Sequence, residues 1–141
     1  MLKNKNSVLP LNPKKRYLIV GPQSKLIENQ MGGWTITWQG KTWEGTSISN
    51  QDFPNTQSIF DSISENVLMS GGSVEYSEDG SYDQKPDVVI FIYGETPYAE
   101  GEGDITSLDF SPKNKNILKA MKKISKDDIP LVSLFLSLIH I

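Results

Sequence analysis

Apolar residues in this chain fall into short blocks separated by polar, glycine-containing stretches, and the blocks differ in period. Tyr17-Leu18-Ile19-Val20 is an unbroken apolar run stopped by Gly21-Pro22. A run without alternation predicts a short strand covered on both faces. Residues 23–55 show no period and are rich in Gly, Ser, Thr, Asn and Trp, which predicts a long surface excursion, and loops of that length are commonly functional. Thr56 is expected to open a helix in which Ile59, Phe60, Ile63 and Val67 form one apolar stripe, ended by Gly71-Gly72. Val74 to Tyr76 predicts a second short strand. Pro86 then precedes Asp87-Val88-Val89-Ile90-Phe91-Ile92-Tyr93, the strongest strand pattern in the chain, halted by Gly94. After a glycine-rich acidic loop over 94–111, Ser111-Pro112 supplies an N-cap with proline at the first helical position. Ile117, Leu118, Met121 and Ile124 share one face of the helix that follows, and Pro130 leads into a last strand over Leu131 to Leu136.

The alternation of strands with helices predicts an α/β fold: a mostly parallel sheet flanked by helices. Ligands of such sheets sit beyond the carboxyl ends of the strands. Two long irregular segments leave strands at that end, 21–55 and 94–111, and any site is expected there.

Composition narrows the choice. The 141 residues make room for one domain, which can bury roughly two-thirds of its surface. Fourteen Lys and Arg against seventeen Asp and Glu give a net charge of -3, so no general attraction to nucleic acid or anionic membrane is expected. The absence of cysteine removes disulfides, zinc-thiolate sites and thiol chemistry, and leaves the redox compartment open. The single histidine, His140, leaves no internal histidine-based triad. Val8-Leu9-Pro10-Leu11 is too short and proline-broken for an export signal, and the apolar stretch Ile129 to Ile141 falls short of the ~20 residues of a spanning helix.

The two loops carry the candidate chemistry. The first contains Gly32-Gly33-Trp34-Thr35-Ile36-Thr37-Trp38-Gln39-Gly40 and then Trp43, so all three tryptophans fall in one short stretch. Flat indole faces suit the C–H faces of a pyranose and immobilise few rotors on binding. The other reading is that the indoles plug the base of the loop against the sheet. The second loop, Gly94-Glu95-Thr96-Pro97-Tyr98-Ala99-Glu100-Gly101-Glu102-Gly103-Asp104, holds four carboxylates. Crowded carboxylates raise one another's pKa, as a general acid needs near neutral pH. Glu100, between Ala99 and Gly101, is the least crowded of them. A hydrated acidic loop or a calcium loop are the alternatives. Val20-Gly21-Pro22-Gln23-Ser24-Lys25 ends a strand on glycine but fits neither a Walker pattern nor G-x-G-x-x-G, and reads as an ordinary turn.

In order along the chain, Val8-Leu9-Pro10-Leu11, Val20-Gly21-Pro22, the tryptophan motif and Gly94-Glu95-Thr96-Pro97-Tyr98-Ala99-Glu100 resemble the C-terminal domain of glycoside hydrolase family 3, the β-glucosidase and exo-β-glucanase family. The resemblance runs from about residue 2 to residue 137. It implies that residues 1–16 are an interdomain linker, 17–137 a partial α/β sandwich domain and 138–141 an unmatched tail. It further implies an active site shared with a TIM-like barrel that carries an aspartate nucleophile. Glu100 would be the acid/base residue. Trp38 would close one side of a sugar clamp, and Trp34 would be a neighbouring pocket aromatic. β-Linked glucosides or oligosaccharides would be the substrates, with no metal or organic cofactor.

These residues contain no barrel and therefore no nucleophile, and beyond Ser137 the family pattern is lost. A truncated chain is expected, inactive as a glycosidase alone and prone to self-association through an uncovered sheet edge. A non-catalytic carbohydrate-binding or interaction module of the same fold is the alternative, and a flavodoxin-like small-molecule binder is a third reading. The residues themselves give no compartment, and by analogy with the family a periplasmic or secreted protein is expected.

Overall fold

In a computed structural model the chain is described over residues 3–42, 44–104, 106 and 115–136. Four strands, β1 (Arg16–Val20), β2 (Ser73–Ser77), β3 (Val88–Gly94) and β4 (Leu131–Leu136), form one sheet in the order β2-β1-β3-β4. Each of these pairings is parallel. Helix α1 (Ile59–Met69) connects β1 to β2 and helix α2 (Lys115–Ile124) lies between β3 and β4. The α/β sheet predicted from the apolar blocks is therefore the observed fold.

The strand register explains the unbroken apolar runs. Tyr17 pairs with Val88, Leu18 with Val89, Ile19 with Ile90 and Val20 with Phe91. Successive side chains alternate between faces. Tyr17, Ile19, Val88, Ile90 and Ile92 pack under Val67 and the half-buried Ile59, Phe60 and Ile63 of α1. Leu18, Val20, Val89 and Phe91 pack under Ile117, Ala120 and Ile124 of α2. Both faces need apolar residues because both carry a helix. The chain moves one way across the sheet from β1 to β2 and the other way from β3 to β4. Right-handed crossovers then place α1 and α2 on opposite faces.

Helix α1 begins later than expected from Thr56. Ser58, not Thr56, is its N-cap: the buried Ser58 hydroxyl accepts from the Asp61 amide at 3.1 Å and donates to the Asp61 carboxylate at 2.6 Å. Asp87 stands just outside β3 and accepts from the Arg16 amide at 2.8 Å, which pins the start of β1. Arg16, expected in the linker, is the first residue of β1, and Leu11 packs against the α1-side core. The expected cap at Ser111-Pro112 lies outside the described residues, as do Trp43, Ser137 and His140.

The excursion after β1 is irregular, as expected, apart from single 3-10 turns at Pro22–Ser24, Ile27–Gln30 and Asn50–Asp52. Ile27, Ile48 and Phe53 form a small core of its own, and the Asn50 side chain ties it together by accepting from the Ile27 amide at 2.9 Å and donating to the Lys25 carbonyl at 2.7 Å. The order of strands reverses between β1 and β3, so the segments leaving these two neighbours diverge over a topological switch point. Those segments are the tryptophan loop and the acidic loop.

Candidate active site

The tryptophan motif folds into a tight strap. The Trp34 amide donates to the Trp38 carbonyl at 2.8 Å, and inside that ring the Thr37 amide donates to the Thr35 carbonyl at 2.7 Å. The inner bond is a three-residue turn around Ile36, whose φ is 64°. A positive φ is costly for a β-branched residue and persists only where its surroundings over-determine it. The fold-back sets the two indoles side by side, ring centroids 6.3 Å apart and planes inclined at 51°.

Glycine lets the strap sit down on the acidic loop. A Cβ on Gly33 would come within 2.5 Å of the Tyr98 carbonyl oxygen. Gly40 has a φ of 70°, and a Cβ there would lie 2.0 Å from the Gly32 carbonyl oxygen and 3.0 Å from Pro97. Between them the buried Gln39 side chain bridges the two loops. Its Oε1 accepts from the Ala99 amide at 2.7 Å and its Nε2 donates to the Glu100 carbonyl at 3.4 Å. One amide thus holds the Ala99 N–H and the Glu100 carbonyl, one on each side of the Glu100 side chain along the backbone.

The Glu100 side chain turns outward and meets both indoles. Trp38 Nε1 donates to Oε2 at 2.9 Å, and Trp34 Nε1 donates to Oε2 at 3.1 Å and Oε1 at 3.3 Å. Trp34 is 72% exposed and Trp38 42%. Indoles that plugged the loop base would be buried, so the plug reading is overturned for these two. Trp34, Trp38 and Glu100, singled out in the sequence, are brought together across more than sixty residues of chain.

The electrostatics correct one expectation. Crowding was expected to raise the carboxyl pKa values of this loop. Instead the carboxylates are dispersed on separate partners: Glu102 forms an ion pair with Lys41, and Glu95 accepts from the Tyr98 hydroxyl at 3.2 Å. Glu100 is held below the ordinary carboxylate range, chiefly by the Trp38 N–H, then by its own backbone amide and the Trp34 N–H. Among the described residues no group of three or more His, Cys, Asp or Glu is placed to hold a metal ion. Among the same residues no helix is long and apolar enough to cross a membrane. A cleft of about 400 Å³ lined by Gln23, Lys41, Glu95, Tyr98 and Glu102 opens over the switch point. Glu100 and the indoles do not line it and stand on the open surface beside it.

Gln39 and Lys41 were not singled out in the sequence. The available signal was their place in the strap itself, two long polar side chains flanking a glycine next to the tryptophans, but nothing local says what they reach.

The family model described as glycosyl hydrolase family 3 C-terminal domain matches residues 1–135. This chain belongs to that family. A curated relative, a lysosomal beta glucosidase of Dictyostelium discoideum, is 32% identical over 138 residues, covering 89% of this chain and 17% of the relative. Crystal structures of an exo-1,3/1,4-beta-glucanase from a Pseudoalteromonas species are 42% identical with a TM-score of 0.85 over 95% of this family 3 domain. The match covers 21% of that chain in a single-residue variant and 16% in the other structure. The domain therefore spans about a fifth or less of the length of these relatives.

Proposed function

We propose that this domain supplies the proton-transfer half of a retaining β-glycosidase site acting on β-linked glucosides or β-1,3/1,4-glucans. Residues 1–16 lead in from a TIM-like barrel that bears the nucleophile, and the domain proper occupies 17–137. The observation that carries the reading is the exposed Glu100 carboxylate gripped by two exposed indoles beside the switch-point cleft. A carboxyl group on an open face, with aromatic planes beside it, is half of a sugar site awaiting a second surface. The activities of the relatives supply the substrate class.

The chemistry needs two carboxyl groups about 5–5.5 Å apart. The barrel carboxylate attacks the anomeric carbon while Glu100 protonates the departing glycosidic oxygen. Glu100, now ionised, takes a proton from water as that water displaces the enzyme from the sugar, and configuration is retained. Trp38 and Trp34 offer their faces to the sugar ring at the aglycone side. The domain alone, lacking the first carboxylate, turns over no aryl glucoside.

The test is Glu100→Gln in a protein that joins this domain to a barrel. Loss of general acid–base catalysis predicts a fall in turnover of about 10²–10⁴-fold with sugar binding retained. Unchanged turnover would overturn the assignment and move the proton donor to Glu95 or Glu102, or out of this loop. A domain that binds sugar through the tryptophans, with Glu100 immaterial to any activity, would be a carbohydrate-binding module instead.

A further inference from the structure

We propose that Trp34 and Trp38 are a latch on the proton state of Glu100: their N–H groups hold the carboxylate as an anion, and loading the proton it must deliver requires that grip to be loosened. This rests on Glu100 being the acid/base residue. An indole N–H can only donate, and it cannot rotate to present a lone pair. Oε2 accepts from both indoles, at 2.9 and 3.1 Å, and Oε1 from Trp34 at 3.3 Å. Such bonds are about twice as strong to a charged acceptor as to a neutral one. A proton placed on Oε2 would face two donors, and a proton on Oε1 would leave the indoles a neutral acceptor. The contacts therefore favour the base and oppose the acid.

Among the described residues, the neighbouring charges on both loops have partners or positions of their own. On the strap, Lys41 is taken up by Glu102 of the acidic loop. On the acidic loop, Glu95 is engaged by the Tyr98 hydroxyl, and Asp104 is exposed. The indoles that hold the anion are also the surfaces offered to a pyranose. A sugar seated against them, with hydroxyls that accept an indole N–H, draws donors away from Glu100 and lets a solvent proton settle on the carboxylate. That proton then goes to the glycosidic oxygen. The empty site stays in the ionised form suited to the second step, and occupancy by sugar is what prepares the first.

The latch is read without activity, in ¹H–¹⁵N spectra of the 141-residue chain titrated from pH 7 to pH 2.5, with the indole signals assigned by single substitutions. The Nε1–H resonances of Trp34 and Trp38 should move together with one midpoint below the ordinary carboxylate range. Glu100→Gln should flatten both, and Trp38→Phe should shift the Trp34 midpoint upward, because one donor to the anion is lost. Resonances that stay flat in the unsubstituted chain, or that still titrate in Glu100→Gln, overturn the latch. The first comparison decides even if Trp38→Phe fails to fold. Flat indoles with turnover still lost in the barrel-joined Glu100→Gln protein would reject the latch alone. Titrating indoles with turnover intact would reject the acid/base role, and the latch with it.

Discussion

Replacing Gln39 by leucine tests whether one buried amide holds the two loops together. The side chain is 1% exposed, so leucine enters the same volume without new contact with water. Two bonds disappear. The one to the Ala99 amide, at 2.7 Å, is short and half-buried, and orphaning that N–H costs about 1–3 kcal/mol. The one to the Glu100 carbonyl, at 3.4 Å, is long, and that carbonyl belongs to an exposed residue that water can reach, so its loss adds little. A net cost of about 2 kcal/mol is expected, which at a urea dependence of about 2 kcal/mol per molar lowers the unfolding midpoint by about 1 M. Indole fluorescence and far-UV circular dichroism should report the same midpoint if unfolding is two-state. Gln39→Glu keeps the acceptor for Ala99 and turns the donor into a buried charge beside the Glu100 carbonyl. It should be the less stable variant at neutral pH and should recover on acidification, as its carboxyl protonates and donates to that carbonyl. A Gln39→Leu midpoint within about 0.2 M of the unsubstituted chain would refute the bridging role.

Two further outcomes follow from other parts of the fold. Asp79 accepts from the Ser81 hydroxyl at 2.6 Å, the Ser81 amide at 2.9 Å and the Ser77 hydroxyl at 3.0 Å, which pull its pKa from 3.8 to about 2. A carboxyl depressed by folding contributes stability above its unfolded value and loses it as pH falls, so Asp79→Asn should flatten the pH dependence of the urea midpoint between about 4 and 2; parallel curves for the two proteins would count against it. The described sheet ends at β4, where Leu134 and Phe135 are 37% and 42% exposed. An apolar edge invites pairing, so light scattering should give a mass that rises with concentration and falls back in Leu134→Lys, and a constant monomer mass for the unsubstituted chain would rule this out.

Much of this architecture could be read from local pattern because local pattern caused it. The runs around Leu18 and Ile90 lack alternation since both sheet faces carry helices, and that fact is written in every residue of the run. Helix α1 starts after Ser58 rather than at Thr56, an equally good cap in composition, because the Asp61 side chain and amide meet the Ser58 hydroxyl. The site was legible in parts and not as a whole. Trp34, Trp38 and Glu100 could be picked out by residue type and by the family motif. Their mutual bonds could not, since nothing in either loop encodes its distance from the other. The proton affinity of Glu100 runs opposite to what the composition of its loop implies for the same reason: sequence shows carboxylates as neighbours in a row, whereas Lys41, Tyr98 and the indoles each engage a different one of them in space.

Ile36 carries a cost that the rest of the domain must cover. Its left-handed backbone is what folds the strap sharply enough to put one indole beside the other, yet its side chain is 57% exposed and gains little from packing. Selection for thermal robustness would favour glycine at this tip, and selection for a rigid aromatic pair would resist it. Residue 36 is accordingly a place where durability and performance pull in opposite directions, and a chain evolved for heat alone would be expected to soften there first.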